Sequence, residues 1–243
     1  MDISKFYDDY WKFRKIINKV HIQKKIDIPE RIKSLLTDIK IKPGYRILDL
    51  GCGEGTIGKI LRETYDDKVY IQGNDISKIA LEMARAYYDD VSLIDFNNDD
   101  FGISIHGKYD IIICLEVIEH LFKPENLLSK IVEIMDKNTI LYISFPNICF
   151  WKYRLVFLGG RFPEESTLFH SSEHIQNFTY KSFNKLLDEY KLRQIKLLGQ
   201  FQFIYKIDEI FRKIGMLNFI HNNIYHKLPN LFGFQIVIKA KVK

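Results

Sequence analysis

The residues best suited to chemistry begin at Asp49. This carboxylate stands two residues ahead of a glycine run, Gly51-Cys52-Gly53-Glu54-Gly55-Thr56-Ile57-Gly58. Positions without side chains let a backbone approach a ligand closely. Gly53, Gly55 and Gly58 satisfy the GxGxxG spacing of dinucleotide sites, which alone is a weak signal. Asp49 narrows the choice. A carboxylate there would repel a pyrophosphate and attract the cationic amino group of a methionine moiety. A second carboxylate, Asp75, follows in Gln72-Gly73-Asn74-Asp75-Ile76 and could accept both hydroxyl hydrogens of a ribose. Asp75 would serve NAD equally well, so Asp49 is what favours S-adenosylmethionine.

A second polar cluster is Glu116-Val117-Ile118-Glu119-His120. If helical, it places Glu116, Glu119 and His120 at i, i+3 and i+4 on one face. His170 and His174 follow later. His120 or His174 could act as a general base, with Glu116 orienting it. Alternatively the carboxylates and histidines could hold a divalent ion that activates a substrate hydroxyl. A third possibility is that the segment only caps a strand. Nothing in the spacing brings residues 116–120 and 174 together, so the expectation is metal-free catalysis by His120, His174 and Glu116, with no metal ligand assigned.

These groups need a scaffold. Phe6, Tyr10, Phe13 and Ile17 recur at helical spacing over residues 4–20. Pro29 opens a second helix to about Lys40, and Pro43-Gly44 is a turn. Strands are then expected at 46–50, 68–73, 91–94, 109–114 and 139–145. Helices alternate with them at 56–65, 77–88 and from Pro124 to about 137, with Ser77 as an N-cap. Repeated βα units imply a parallel sheet with helices on both faces. A helix near 179–190, a strand near 192–198 and a final strand at 234–239 resume the rhythm after an aromatic, basic stretch. Residues 201–228 carry Phe, Ile and Tyr at roughly helical spacing. In such sheets ligands bind beyond the carboxyl ends of the strands, where the glycine loop and residues 115–120 both fall.

Bulk properties agree. A chain of 243 residues suits one large α/β domain. Hydrophobic residues make up 47% and charged residues 28%, a globular rather than a disordered balance. No apolar run is long enough to span a bilayer, and the N-terminus lacks a signal-peptide pattern. Cys52, Cys114 and Cys149 are scattered without a CxxC pair, which argues against a zinc ribbon or disulfide framework. A reducing, cytoplasmic location is expected. The net charge of +5 is spread along the chain, so nucleic-acid binding is not demanded.

The runs ILDLGCGEGTIG, NDIS with ALEMARAYY, and YDIIICLEVIEHL resemble the successive motifs of class I S-adenosylmethionine-dependent methyltransferases across about residues 40–145. SFPNICFWKYRLVFLGGRFP and HIQNFTYKSFNKLLDEY are similar to the MetW-like branch. The resemblance implies a Rossmann-like α/β fold with a mostly parallel seven-stranded sheet. It implies one domain over 1–243, with an N-terminal helical cover (1–40) and inserted cap segments (147–178 and 201–228). It also implies S-adenosylmethionine as cofactor. Asp49, Gly51, Cys52, Gly53 and Gly55 would surround the methionine part, Asp75 and Ile76 the ribose, and Asp95 and Phe96 the adenine. Leu115 completes the set, and Tyr7 or Tyr10 on the first helix would cover the cofactor.

The ExxEH segment is similar to one associated with a metal in small-RNA 2′-O-methyltransferases and in ubiquinone-pathway O-methyltransferases. The expected activity is methyl transfer to an O or N nucleophile of a small, possibly sugar-linked acceptor, by a chain that could form a homodimer. An RNA 2′-O-methyltransferase and a non-catalytic S-adenosylmethionine-binding partner linked to methionine metabolism are the alternatives.

Overall fold

The computed structural model describes residues 3–20, 28–98, 107–163 and 174–243. Ile47, Leu48, Asp49 and Leu50 of β1 (Arg46–Leu50) are all buried, as are all four residues of β4 (Ile111–Cys114). A strand buried on both sides belongs in the middle of a sheet covered on both faces. These two are neighbours at the centre of a seven-stranded sheet ordered β3-β2-β1-β4-β5-β7-β6. The flanking strands are β2 (Tyr70–Asp75), β3 (Asp90–Leu93), β5 (Ile140–Pro146), β6 (Leu192–Phe201) and β7 (Gly233–Val242). β3, β2, β1, β4 and β5 pair in parallel, and β7 runs antiparallel to both β5 and β6.

The alternation of side chains along each strand feeds two cores. On one face Ile47, Ile71, Ile111, Ile113 and Tyr142 pack with α2 (Glu30–Asp38), α3 (Thr56–Tyr65) and α4 (Lys78–Ala84). On the other, Leu48, Ile112, Leu141, Ile143 and Phe145 pack with α5 (Pro124–Ile134) and α7 (Tyr180–Glu189). The remaining helices are α1 (Ile3–Val20), α6 (Trp151–Leu158), α8 (Tyr205–Lys213), α9 (Leu217–Ile220) and α10 (Pro229–Phe232). Among the described residues no helix is long and apolar enough to cross a membrane.

Three local departures from the sequence expectation bear on function. β2 ends on Asp75 rather than Gly73, which sets that carboxylate at the sheet's carboxyl edge. α4 stops at Ala84, and the following turn swings the Tyr88 ring back under the glycine loop. The 116–120 segment is not one helix. Glu116 takes a left-handed conformation (φ 56°), and only Ile118–His120 form a single 3-10 turn. Further on, the 201–228 stretch of roughly helical spacing holds α8, α9 and a π-helical turn at His221–Tyr225, with Gly215 (φ 73°) between α8 and α9.

Candidate active site

In chain order the strands step outward from β1 through β2 to β3 and then resume at β4 on the other flank of β1, so the strand order reverses there. A cleft of about 450 Å³ opens at that switch point, the expected place for a ligand in such a sheet. Asp49, Gly51, Cys52, Gly53, Asp75, Ile76, Asp95, Phe96, Leu115, Glu116, His120, His174, Tyr7 and Tyr10 all line it. Gly55 is the sequence-assigned residue that does not. It caps α3 with φ 85°, one step behind the wall.

The glycine loop is pinned by its own neighbours. Gly51, Gly53 and Gly55 all have positive φ, a backbone that side chains rarely tolerate. The Gly53 N–H donates to Asp75 Oδ2 at 2.9 Å, and the Ser77 N–H donates to Asp75 Oδ1 at 2.9 Å. Asp75 therefore braces the loop and the start of α4 at once. Each oxygen keeps a lone pair for a further donor. Burial raises the Asp75 carboxyl above its ordinary range against these bonds.

Asp49 is almost fully buried and accepts a 2.6 Å hydrogen bond from the Tyr88 hydroxyl. Burial pushes its carboxyl up to about 7; the Tyr88 bond opposes this, and nearby Asp75 adds to it. The Tyr88 hydroxyl also accepts from the Gly58 N–H at 3.1 Å. Gly58 makes room for this ring, since a Cβ there would collide with Tyr88 Cε2. Its role is thus to seat Tyr88 rather than to touch a ligand. Gly58→Ala is expected to cost roughly 1–3 kcal/mol of stability by overpacking. Urea unfolding checks this, and an unchanged midpoint would mean that the ring is loosely held.

α1 closes the cleft from above. Asp8 Oδ1 accepts from the Ser77 hydroxyl at 2.5 Å, which ties α1 to the N-cap of α4. The Trp11 ring packs where a Cβ of Gly53 would stand, 2.8 Å from Trp11 Cζ2. Arg14 lies 3.5 Å from Glu54 and donates to the Tyr10 hydroxyl at 3.2 Å.

The polar cluster beyond β4 divides in two. Glu116 turns toward β5 and β7, accepting from the Ser144 hydroxyl at 2.8 Å and from Gln235 Nε2 at 3.0 Å. Its own N–H donates to Ser144 Oγ at 3.0 Å, which holds the left-handed turn. Glu119, His120 and His174 converge instead. One ligand atom from each lies within 4.8 Å of the other two. The Ile175 and Gln176 N–H groups both donate to the Glu119 carbonyl at 2.9 Å, which clips the 174–176 segment to the 3-10 turn. The His120 and His174 rings are 4.9 Å apart, and the Tyr7 ring meets His120 edge-on at 6.1 Å. Glu119 is fully buried, with no hydrogen bond to either carboxylate oxygen among the described residues. Burial, and then the charge of Glu116, push its carboxyl well above the usual range. His170 lies outside the described residues.

The model of the family described as methionine biosynthesis protein MetW matches residues 32–222, most of the chain. This chain belongs to the MetW family. The MetW-family chain is also 25% identical over 123 residues to the ubiquinone biosynthesis O-methyltransferase of Aromatoleum aromaticum. That alignment covers 49% of this chain and 51% of the relative, so the chain spans about half that relative's length. To the enzyme of the same description from Coxiella burnetii (strain RSA 493 / Nine Mile phase I) it is 25% identical over 167 residues, 66% of this chain and 68% of the relative.

Two solved structures show the fold. The magnesium protoporphyrin IX methyltransferase of Synechocystis PCC 6803 superposes with a TM-score of 0.60 at 17% identity, covering 98% of this chain and 99% of that one. A SAM-dependent methyltransferase from Archaeoglobus fulgidus gives 0.57 at 20% identity, covering 82% and 86%. The MetW-family chain therefore has the class I S-adenosylmethionine-dependent methyltransferase fold.

Sequence reasoning missed several residues that complete this MetW-family cleft. Trp11, Arg14, Arg31, Asn97, Val117 and Gln235 line it, and Tyr88 supports it from behind. Apart from Val117, which sits within the Glu116–His120 run, none of the lining residues lies in a polar cluster or glycine run that the sequence singled out. Tyr88 had a partial signal, as one of the two tyrosine hydroxyls, with Tyr87, in ALEMARAYY.

Proposed function

We propose that the protein transfers a methyl group from S-adenosylmethionine to a hydroxyl of a small-molecule acceptor. The observation that carries this is that Asp49, Asp75 and the glycine loop share one cleft with His120 and His174. The residues present fit the cofactor. Buried Asp49 suits a cationic amino group, Asp75 keeps acceptor capacity for ribose hydroxyls, and the tight loop admits a close approach. Ile76, Asp95, Phe96 and Leu115 provide the walls of an adenosine pocket, and Tyr7, Tyr10 and Trp11 exclude water from above. The cofactor supplies a methyl on a sulfonium, so the protein's work is to align the acceptor and remove its proton. His120 or His174 takes that proton, and Glu116, held by Ser144 and Gln235, faces the acceptor side. The O-methyltransferase descriptions of the two curated relatives support oxygen as the nucleophile. Sugar-linked compounds are among the acceptors to test. Buried, unpaired Cys52 and Cys114 suit a reducing cytoplasm.

A second reading of the polar cluster is favoured by the convergence of Glu119, His120 and His174. A divalent ion held there would satisfy the buried Glu119 carboxylate and activate an acceptor hydroxyl. Two histidines bias such a site toward Mn²⁺, Fe²⁺ or Zn²⁺ over Mg²⁺.

Calorimetry with S-adenosylhomocysteine and with NAD tests the cofactor, and transfer of labelled methyl to a panel of hydroxyl acceptors tests the reaction. Asp75→Ala should weaken S-adenosylhomocysteine binding by roughly 1.5–3 kcal/mol through loss of charge-assisted hydrogen bonds. Tighter binding of NAD than of S-adenosylhomocysteine would sink the assignment.

A further inference from the structure

Two segments leave the sheet beside the cleft with more exposed apolar surface than their packing uses. β5 and β6 run the same way and β7 the opposite way, so Pro146, Phe201 and Gly233 meet at one edge. α6 follows β5 from that edge, and α8, α9 and α10 bridge from β6 to β7 along it. Gln235, two residues into β7, lines the cleft. The two segments touch. Arg154 of α6 donates to the Asn230 carbonyl of α10, and the Trp151 and Phe203 rings lie 5.1 Å apart.

α6, WKYRLVFL, is apolar at six of its eight positions but buries only Tyr153. A helix apolar around its whole circumference is ordinarily buried. Here Leu158 is 84% exposed and Leu155 58%. Ile207, Ile210 and Phe211 of α8 and Ile214, which follows it directly, form a stripe. Phe211 packs on the core, but Ile210 and Ile214 face outward, and Phe219 of α9 is 61% exposed. Contiguous exposed apolar surface marks an interaction site.

Charge identifies what covers it. Residues 147–163 hold Lys152, Arg154 and Arg161 and no acid. Residues 204–232 hold Lys206, Arg212, Lys213 and Lys227 against Asp208 and Glu209. Together they account for five net positive charges, the entire formal excess of the chain. All seven basic side chains are exposed, whereas Asp208 is buried and accepts from the Tyr225 hydroxyl at 2.5 Å. Apolar side chains that can enter an acyl boundary, on the same two segments as exposed cations that can reach lipid phosphates, match a surface-docking element.

We infer that the face formed by α6 and α8–α10 docks this protein on an anionic lipid bilayer, with the mouth of the cleft beside it. The full-length chain, without cofactor, should co-sediment with phosphatidylcholine vesicles that contain phosphatidylglycerol. It should partition far less onto pure phosphatidylcholine, and added salt should release it. Leu158→Asp and Phe219→Asp should each lower partitioning roughly 10-fold or more. Lys152→Gln with Lys206→Gln should lower it roughly 30-fold, at about 1 kcal/mol for each charge near the surface. These side chains are exposed, so thermal melting should be unchanged. No binding to the anionic vesicles, or binding that all these variants retain, would overturn the inference. So would a lipid-free dimer, seen by sedimentation equilibrium, that Leu158→Asp or Phe219→Asp dissociates, because a second copy would then be the occupant. Vesicle binding does not depend on the methyltransfer reading, so either can fail alone.

Discussion

Exchange of His120 for alanine should slow methyl transfer by roughly 10²–10⁴-fold while S-adenosylhomocysteine still binds. The imidazole meets Tyr7, His174 and Glu119 at the wall of the cleft, whereas Asp49, Asp75 and the glycine loop are separate groups on β1 and β2. Loss of the ring should therefore act on the rate and leave cofactor affinity alone, which equilibrium binding and single-turnover transfer separate. The same variant alone cannot say whether His120 takes a proton or holds an ion. Chelation can. If the histidine is the base, EDTA leaves the wild-type rate intact, and Glu119→Gln is a mild change. If an ion is bound, EDTA abolishes transfer, added Mn²⁺ or Zn²⁺ restores it, and Glu119→Gln is as damaging as His120→Ala. Full activity in His120→Ala with the cofactor still bound would remove the cluster from the chemistry.

What was legible in the sequence was what lies close together along the chain. β1, the glycine loop and α3 are contiguous, and each local preference agrees with the others: a mostly apolar, buried strand, a turn that needs glycine, then an amphipathic helix. Asp75 follows the same logic one unit later. What stayed hidden depends on contacts across the sheet. The Tyr88 hydroxyl reaches Asp49 from 39 residues away, and Gln235 reaches Glu116 from 119 away. The helical option for 116–120 is not taken up because Ser144, on the neighbouring strand, captures both the backbone and the carboxylate of Glu116. That capture separates Glu116 from Glu119, which helical spacing had placed on one face. Conversely, His174 joins Glu119 and His120 only because two backbone N–H groups dock on one carbonyl. No spacing rule encodes such a contact.

Removing the charge at Asp49 should stabilise the fold and weaken the cofactor site together. An aspartate in the unfolded chain ionises near 3.9. Buried in the native state, Asp49 ionises near about 7. Between these values the native protein holds a proton that the unfolded chain has released, so this group's contribution to stability is fully present below about pH 4. It is lost as pH rises toward 7 and then levels off. The span corresponds to about 4 kcal/mol as an order of magnitude. Asp75 and Glu119 shift in the same direction, and Tyr88, Cys52 and Cys114 also surround or feel Asp49, so the wild-type profile alone is ambiguous. The difference between wild type and Asp49→Asn isolates the one group, since the amide keeps the shape and can still accept from Tyr88. Urea unfolding at a series of pH values should give nearly equal stabilities at pH 4 and a growing advantage for Asp49→Asn up to about pH 7, level above it. Affinity for S-adenosylhomocysteine should move the other way. In wild type it should rise with pH through about 7, as the carboxylate proposed to hold the amino group forms, and in Asp49→Asn it should stay low and flat. A wild-type affinity independent of pH, with no stability gain in the variant, would mean that Asp49 is ionised throughout, and that its burial is offset by partners other than Tyr88.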